Sequence, residues 1–390
     1  MYRNTRFNEL MKGLPRGFFK KISDKHGLDK HSKGFSGWDQ LIAMVYSQIN
    51  DCKSLRELEA GFNSQGVHHY HLGTRSIKRS TLADANAKRN SEAFAEACSA
   101  LMAHVKGSLK SDVGDLLYLM DSSPIPLKGL GYDDWTKSNK THRTQGLKVH
   151  MVTVSEHDLP VKVGITAPNV NDIEWGRQIE IEKGATYAID KGYCDYNWWF
   201  EIDKAGASFV TRFKKNAGVN VVGNYLIPEE VNETILKDEL VEFKNKRPGG
   251  KRINHYYGTA LRRITVARPD KDTPLIIATN DLDRTAIELA EIYKKRWGIE
   301  LFFKWLKQNL KIKKFLGRNE NAVKIQIYTA IITYLLVHLY HKRHGQQEVI
   351  RITLVTLKTA LFQRPEIEEY RIRKKKEWDE MLSLQRGLAL

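Results

Sequence analysis

The spacing of apolar residues changes near residue 115, and that change limits the chain to a mixed architecture. Before it, "WDQLIAMVYSQI", "SLRELEAGF" and "STLADANAKRNSEAFAEACSALMAHV" carry apolar residues at helical spacing. Ser54 and Glu57 predict a capping box, and Ser80 a helix N-cap. After it, "DLLYLMDSS" predicts a short buried strand, and "GLKVHMVTVS" with "LPVKVGIT" a hairpin turning at His157 and Asp158. A helix around "NDIEWGRQIEI", capped by Asn171 or Asp172, leads to a second buried strand, "ATYAID", which stops at "KGY". Strands, a helix and another buried strand predict an α/β sheet.

Residues 207–280 supply "ASFVTRF", "ELVEFK", "RRITVARP" and "PLIIATN" with no helix between them, which predicts a β-rich insertion. Helical spacing resumes at Asp283, a good N-cap, and runs to about 316; further helices lead to a basic tail, "RIRKKKEW", at 371–378. With only 10 Pro and 27 Gly there is no linker to mark boundaries, so they follow the changes of period. These give a helical region at 1–110, a core at 111–213, the insertion at 214–282, completion of the core at 283–345 and a basic helical region at 346–390.

Charge bears on the partner. There are 63 Lys and Arg against 46 Asp and Glu, a net charge of +17, which attracts polyanions, nucleic acid first among them. Charge alone fits a basic enzyme equally well. The surplus is concentrated at 1–39 and 75–89, where short helices with basic connections fit a DNA-binding bundle. Cys52, Cys98 and Cys194 form no CxxC pair, which argues against a disulfide framework or a zinc site and fits a reducing cytoplasm. "MYRNTRFNEL" lacks the apolar stretch of a signal peptide. "IQIYTAIITYLLVHLY", at 325–340, is shorter than the ~20 residues of a membrane span and carries Gln326 and His338, so it predicts a buried core helix.

The stretch "YKKRWGIELFFKWLK" places one acid on a basic face. At roughly 100° per residue, Tyr293, Arg296, Glu300 and Lys307 project together, with Lys304 and Lys311 beside them. Ile292, Ile299, Phe302, Leu306 and Leu310 form a separate, buried face. Alone, Glu300 reads as a helix-surface partner of Lys304 or Arg296, a pair contributing ~0.3–0.5 kcal/mol. Asp121 and Asp190 alter that reading, because each ends a predicted buried strand, and strand ends form the site edge of an α/β sheet. Three converging carboxylates fit Mg²⁺, a hard, oxygen-seeking cation. Two such ions roughly 3.5–4 Å apart suit in-line phosphoryl displacement, with Arg296 and Lys307 on DNA phosphate.

These residues resemble a known family. Tyr293, Arg296, Glu300 and Lys307 have the spacing Y-x2-R-x3-E-x6-K, similar to the YREK signature of one branch of DDE-type transposases of bacterial insertion sequences. "DSS" at 121–123 and "DKGY" at 190–193 resemble the family's two aspartate motifs, and "GLKVH" at 146–150 resembles the basic strand between them. The resemblance spans nearly the whole chain. It implies a ribonuclease-H-like core interrupted by a β-rich insertion between Asp190 and Glu300, with helical regions at both ends. It also implies that Asp121, Asp190 and Glu300 bind Mg²⁺ (two ions, Mn²⁺ able to substitute), and that Tyr293, Arg296, Lys304, Lys307 and Lys148 contact DNA.

The activity so implied is cut-and-paste transposition in the bacterial cytoplasm, on the nucleoid, by a homodimer on double-stranded DNA. No membrane or nucleotide cofactor is expected, and no GxxxxGK[ST] loop is present. Two alternatives share the charge pattern: a non-catalytic DNA-binding descendant, and a nuclease of the same fold. Some relatives stack a flipped base on a tryptophan of the insertion. Residues 201–290 contain no tryptophan, which leaves Trp198, Trp199, Tyr225, Tyr256 and Tyr257 as candidate surfaces. In "PNVND", Asn171 stands where relatives often carry histidine.

Overall fold

A computed structural model describes residues 5–364 other than 31, 108–115, 140–143, 157, 215–216, 249, 270, 311, 313 and 345–348, together with 375 and 378. His157, Lys311 and most of the basic tail thus lie outside the described residues. Contacts divide the chain into two units, Met1–Leu101 with Leu310–Leu390, and Met102–Asn309.

In the first unit, helix Gly37–Ile49 opens on a capping box between Ser36 and Asp39 and buries every residue it has. Helix Glu320–Arg343 packs along it. It is long and apolar enough for a membrane span, yet 89% of its most apolar window is buried, as a core helix requires. Gln326 is tolerated there because Nε2 donates to the Lys314 carbonyl and Oε1 accepts from the Leu316 N–H, both at 2.9 Å. The chain thus rejoins the helical unit at Leu310, whereas the expected core runs to 345. A helix that is apolar on every side gives no periodic signal of which neighbours cover it.

Local capping departs from expectation in two places. Ser54 accepts from the Glu57 N–H at 3.1 Å, but the Glu57 carboxylate takes the Lys53 N–H at 2.6 Å, so only half of a capping box forms. The helix expected to follow Ser80 begins at Arg79, with Lys78 at its N-cap.

The second unit holds a ten-stranded sheet. Its strands are β1 (Leu117–Pro126), β2 (Lys137–Asn139), β3 (Thr144–Val154), β4 (Leu159–Thr166), β5 (Thr186–Ile189), β6 (Ser208–Arg212), β7 (Val219–Asn224), β8 (Ile235–Phe243), β9 (Leu261–Val266) and β10 (Leu275–Thr279). β4 and β1 each pair antiparallel with β3, and β5 and β6 then follow parallel to β1. That order and those directions make a ribonuclease-H-like core. The insertion does not form a separate sheet: β10 pairs antiparallel with β6, and β9, β8 and β7 continue outward. β6 shows how the faces are divided, because alternate side chains of a strand point to opposite sides. Phe209 joins Tyr118, Ile189 and Trp199 in one cluster, while Val210 joins Ile264, Leu289 and Tyr293 in another.

Candidate active site

Parallel pairing of β1 with β5 ends at Met120↔Ile189, so Asp121 and Asp190 follow as neighbours on strands roughly 4.8 Å apart. β1 itself does not stop at Asp121 but runs to Pro126 alongside β3, contrary to the turn that two serines and a proline after Asp121 suggest. Asp190 instead leaves the sheet and caps a short turn of 3-10 helix, its Oδ2 accepting the Gly192 N–H at 3.1 Å.

Glu300 comes from helix Trp297–Asn309, which packs on β1 and approaches Leu119 through Gly298. The single helix expected from Asp283 to 316 is two helices. Thr285 caps Ala286–Lys295 in a box with Glu288, and Arg296 sits at the joint before Trp297. The joint frees Arg296 from one helix face. Its guanidinium puts Nη2 2.7 Å from Glu300 Oε1 and Nη1 3.4 Å from Asp121 Oδ2. Its Nε is buried and finds no partner among the described residues.

Burial, with Asp190 and Glu300 adding to it, raises the Asp121 pKa to about 7, against the pull of the Ser122 N–H and Arg296. Burial likewise holds the Tyr193 phenol well above its usual range, and Asp172, Asp121 and Asp190 push the same way. His150 is fully buried, stacks on Trp175 at 5.0 Å and pairs with Thr166 Oγ1 at 2.8 Å. Burial lowers its pKa to about 4, so it is neutral at pH 7.

The structure brings Asp121, Asp190, Glu300 and Arg296 together. Among the described residues no three acid, His or Cys side chains form a closed metal-ligand cluster. The donor chemistry still fits a hard cation, because the set is all carboxylate and its like charges act on the buried Asp121. Arg296 supplies the positive charge among them.

The residues expected on DNA divide. Lys304 is exposed, while Lys307 donates to Ser123 Oγ at 2.6 Å and to the Pro124 carbonyl at 3.2 Å. Tyr293 is only 8% exposed and lies under the Arg296 guanidinium, 5.6 Å from ring centroid to Cζ. Lys148 turns inward to Asp172 at 3.0 Å and the Val170 carbonyl at 2.8 Å. Of the aromatic candidates, Trp198, Trp199 and Tyr256 are buried and Tyr225 lies under Arg262, which leaves Tyr257 exposed. Asp172 was visible in the sequence only as a helix cap; no local signal marks its place beside Ser122 and Lys148. In the helical unit, Lys30, Lys33, Arg75, Lys78 and Lys88 line a groove of about 780 Å³.

Residues 113–336 match the family model described as the transposase DDE domain. The chain belongs to the DDE transposases, metal-dependent enzymes that cleave DNA. A protein of Sinorhizobium fredii named as a transposase, y4zB, is 41% identical over 73% of this chain and 78% of its own length. One of Synechocystis sp., named for the insertion sequence element IS4SA, is 30% identical over 43% of this chain and 46% of its own. Residues 2–75 match a second model, a domain of unknown function, DUF4372. The piggyBac transposase, solved as a synaptic complex with hairpin DNA, aligns with a TM-score of 0.46 at 12% identity, covering 94% of this chain and 82% of that one.

Proposed function

We propose that this chain is a cut-and-paste transposase of the YREK branch, which binds the inverted-repeat ends of an insertion sequence, cleaves them and joins the 3′-OH ends to target DNA. One observation supports the reading most strongly: Asp121 and Asp190 directly follow the last paired residues of two parallel strands, and Arg296 ties Asp121 to Glu300. Asp121, Asp190 and Glu300 would hold Mg²⁺, or Mn²⁺ in its place. Two bound ions supply the charge that activates a water or 3′-OH and offsets the leaving oxygen.

The remaining steps belong to the protein. Arg296 is poised to exchange a carboxylate for a phosphate oxygen, and its planar fork suits either. Lys304 and Lys307 extend the cationic surface along the helix that follows Arg296, and Tyr293 supports Arg296 from beneath. The groove at Lys30, Lys33, Arg75, Lys78 and Lys88 would take the duplex of the terminal repeat. Two copies would bring two ends together, in the cytoplasm at the nucleoid.

Incubation of the protein with end-containing DNA and Mg²⁺ tests this reading. Wild type should cleave and join, and Glu300→Ala should do neither; equal behaviour of the two would refute the role of Glu300. A product that is cut but never joined would indicate a nuclease of the same fold.

A further inference from the structure

Three residues outside the proposed ligand set meet on one oxygen. Asp172 Oδ1 accepts from Ser122 Oγ at 2.8 Å and from Lys148 Nζ at 3.0 Å, and Lys148 also donates to the Val170 carbonyl at 2.8 Å. The backbone N–H of the same Ser122 donates to Asp121 Oδ1 at 2.7 Å. On its other side, Asp172 fills the space that a side chain at 192 would need. A Cβ added to Gly192 would lie 2.7 Å from Asp172 Oδ2 and 3.6 Å from Asp190 Oδ2. The Gly192 N–H, in turn, is the donor that holds Asp190 Oδ2 at 3.1 Å.

We propose that Asp172 and Lys148 form a positioning clamp, through Ser122 on Asp121 and through Gly192 on Asp190, and that Lys148 does not contact DNA. The clamp joins four elements: β1, β3, the turn after β5 and the short helix Asp172–Gly176 that carries Asp172. It fixes the spacing of two carboxylates whose strands are not bonded beyond Met120↔Ile189. Lys148 is 14% exposed, and two of its three ammonium donors are held by the Val170 carbonyl and Asp172. Groups that orient metal ligands typically alter metal affinity or activity by about 10–100-fold when removed. The inference rests on the proposed role of Asp121 and Asp190 as metal-holding carboxylates.

The test compares wild type, Lys148→Met, Asp172→Asn, the Lys148→Met/Asp172→Asn double variant and Gly192→Ala. Three quantities are read: affinity for an end-containing duplex in EDTA as a function of salt, Mn²⁺ binding without DNA by electron paramagnetic resonance, and the Mg²⁺ concentration giving half-maximal cleavage. The clamp predicts unchanged DNA affinity and salt slope in EDTA. It also predicts about tenfold weaker Mn²⁺ binding and a matching rise in the Mg²⁺ requirement for each single variant. The double variant should be no worse than the poorer single, because both act through one oxygen. Gly192→Ala keeps every partner, yet should shift the same way because its methyl displaces the Asp172 carboxylate. Loss of DNA affinity by Lys148→Met, with a salt slope lower by about one, would overturn the proposal in favour of a phosphate contact. Lower thermal stability with unchanged Mn²⁺ affinity would overturn it in favour of a purely structural role. If wild type binds Mn²⁺ but cleaves no ends, while the variants bind Mn²⁺ more weakly, the clamp stands and the transposition reading fails.

Discussion

Arg296 Nη1 stands 3.4 Å from Asp121 Oδ2, so the cation at the joint between two helices is the immediate neighbour of the acid on the strand. The same guanidinium holds Glu300 at 2.7 Å and is 10% exposed. In the absence of metal, Arg296 is therefore the charge that lets two carboxylates share a confined space. Arg296→Gln should destabilise the metal-free protein by about 1–3 kcal/mol, since it leaves partly buried charges uncompensated. Added Mg²⁺ should raise the melting temperature of this variant more than that of wild type, because the cation replaces the missing charge. Arg296→Lys should recover little, as a single ammonium cannot span both carboxylates. Thermal melts in EDTA and in Mg²⁺ check all three statements.

The raised pKa of Asp121 gives a signed pH dependence. An aspartate that titrates near 3.8 when unfolded and about 7 when folded binds its proton more tightly in the native state. Between those values the folded protein holds the extra proton, so this group's contribution to stability falls as pH rises through that window. Above pH 7 the full cost of the buried charge is present. Asp121→Asn, which is neutral throughout, should then be more stable than wild type at pH 8 in EDTA, with the difference shrinking towards pH 5. Paired melts at the two pH values measure it; a difference that grows on acidification would contradict the assignment.

Asp190 was legible as a strand-end acid because "ATYAID" ends at "KGY", where strand β5 gives way to the 3-10 turn Lys191–Tyr193. Asp121 was legible as a strand residue but not as a mid-strand one, because "SSPIP" looks like a turn until β3 supplies partners for it. The break at Arg296 leaves no trace in the periodicity, since apolar spacing continues across it. Asp172 was beyond reach for a different reason. Its partners lie 50 and 24 residues away, and such a contact depends on tertiary structure, with no local pattern to announce it. The continuity of the insertion with the core sheet is hidden likewise, because it depends on β10 pairing with β6.

Gly164 lies opposite His150 on the β3–β4 ladder, beneath the indole of Trp175. A Cβ at 164 would overlap Trp175 Nε1, and the indole has no free path, being 9% exposed and stacked on His150 at 19° between planes. Gly164→Ala should cost about 1–3 kcal/mol through overpacking. It should also shift the Trp175 fluorescence as the ring moves. Trp175 lies three residues beyond Asp172 on the same short helix, so the variant should weaken Mn²⁺ binding as well as lower the melting temperature.

Arg262 and Asp238 anchor the inserted strands through a buried pair. Nη2 meets Asp238 Oδ2 at 2.6 Å and Nε meets Oδ1 at 2.8 Å, with the two side chains 4% and 3% exposed. Arg262 also donates to the Arg284 carbonyl and covers the Tyr225 ring at 4.2 Å, so it links β8 and β9 to the segment entering helix Ala286–Lys295. Breaking such a pair from one side leaves a buried charge alone, and Asp238→Ala should cost about 3–5 kcal/mol. Replacing both partners with apolar residues of similar volume, as in Asp238→Leu with Arg262→Met, removes both desolvation costs and should restore most of that loss. A double-mutant cycle by urea denaturation separates the cases. A double variant as unstable as the single would show that the link to Arg284, lost only when Arg262 is replaced, matters more to the insertion than the ion pair itself.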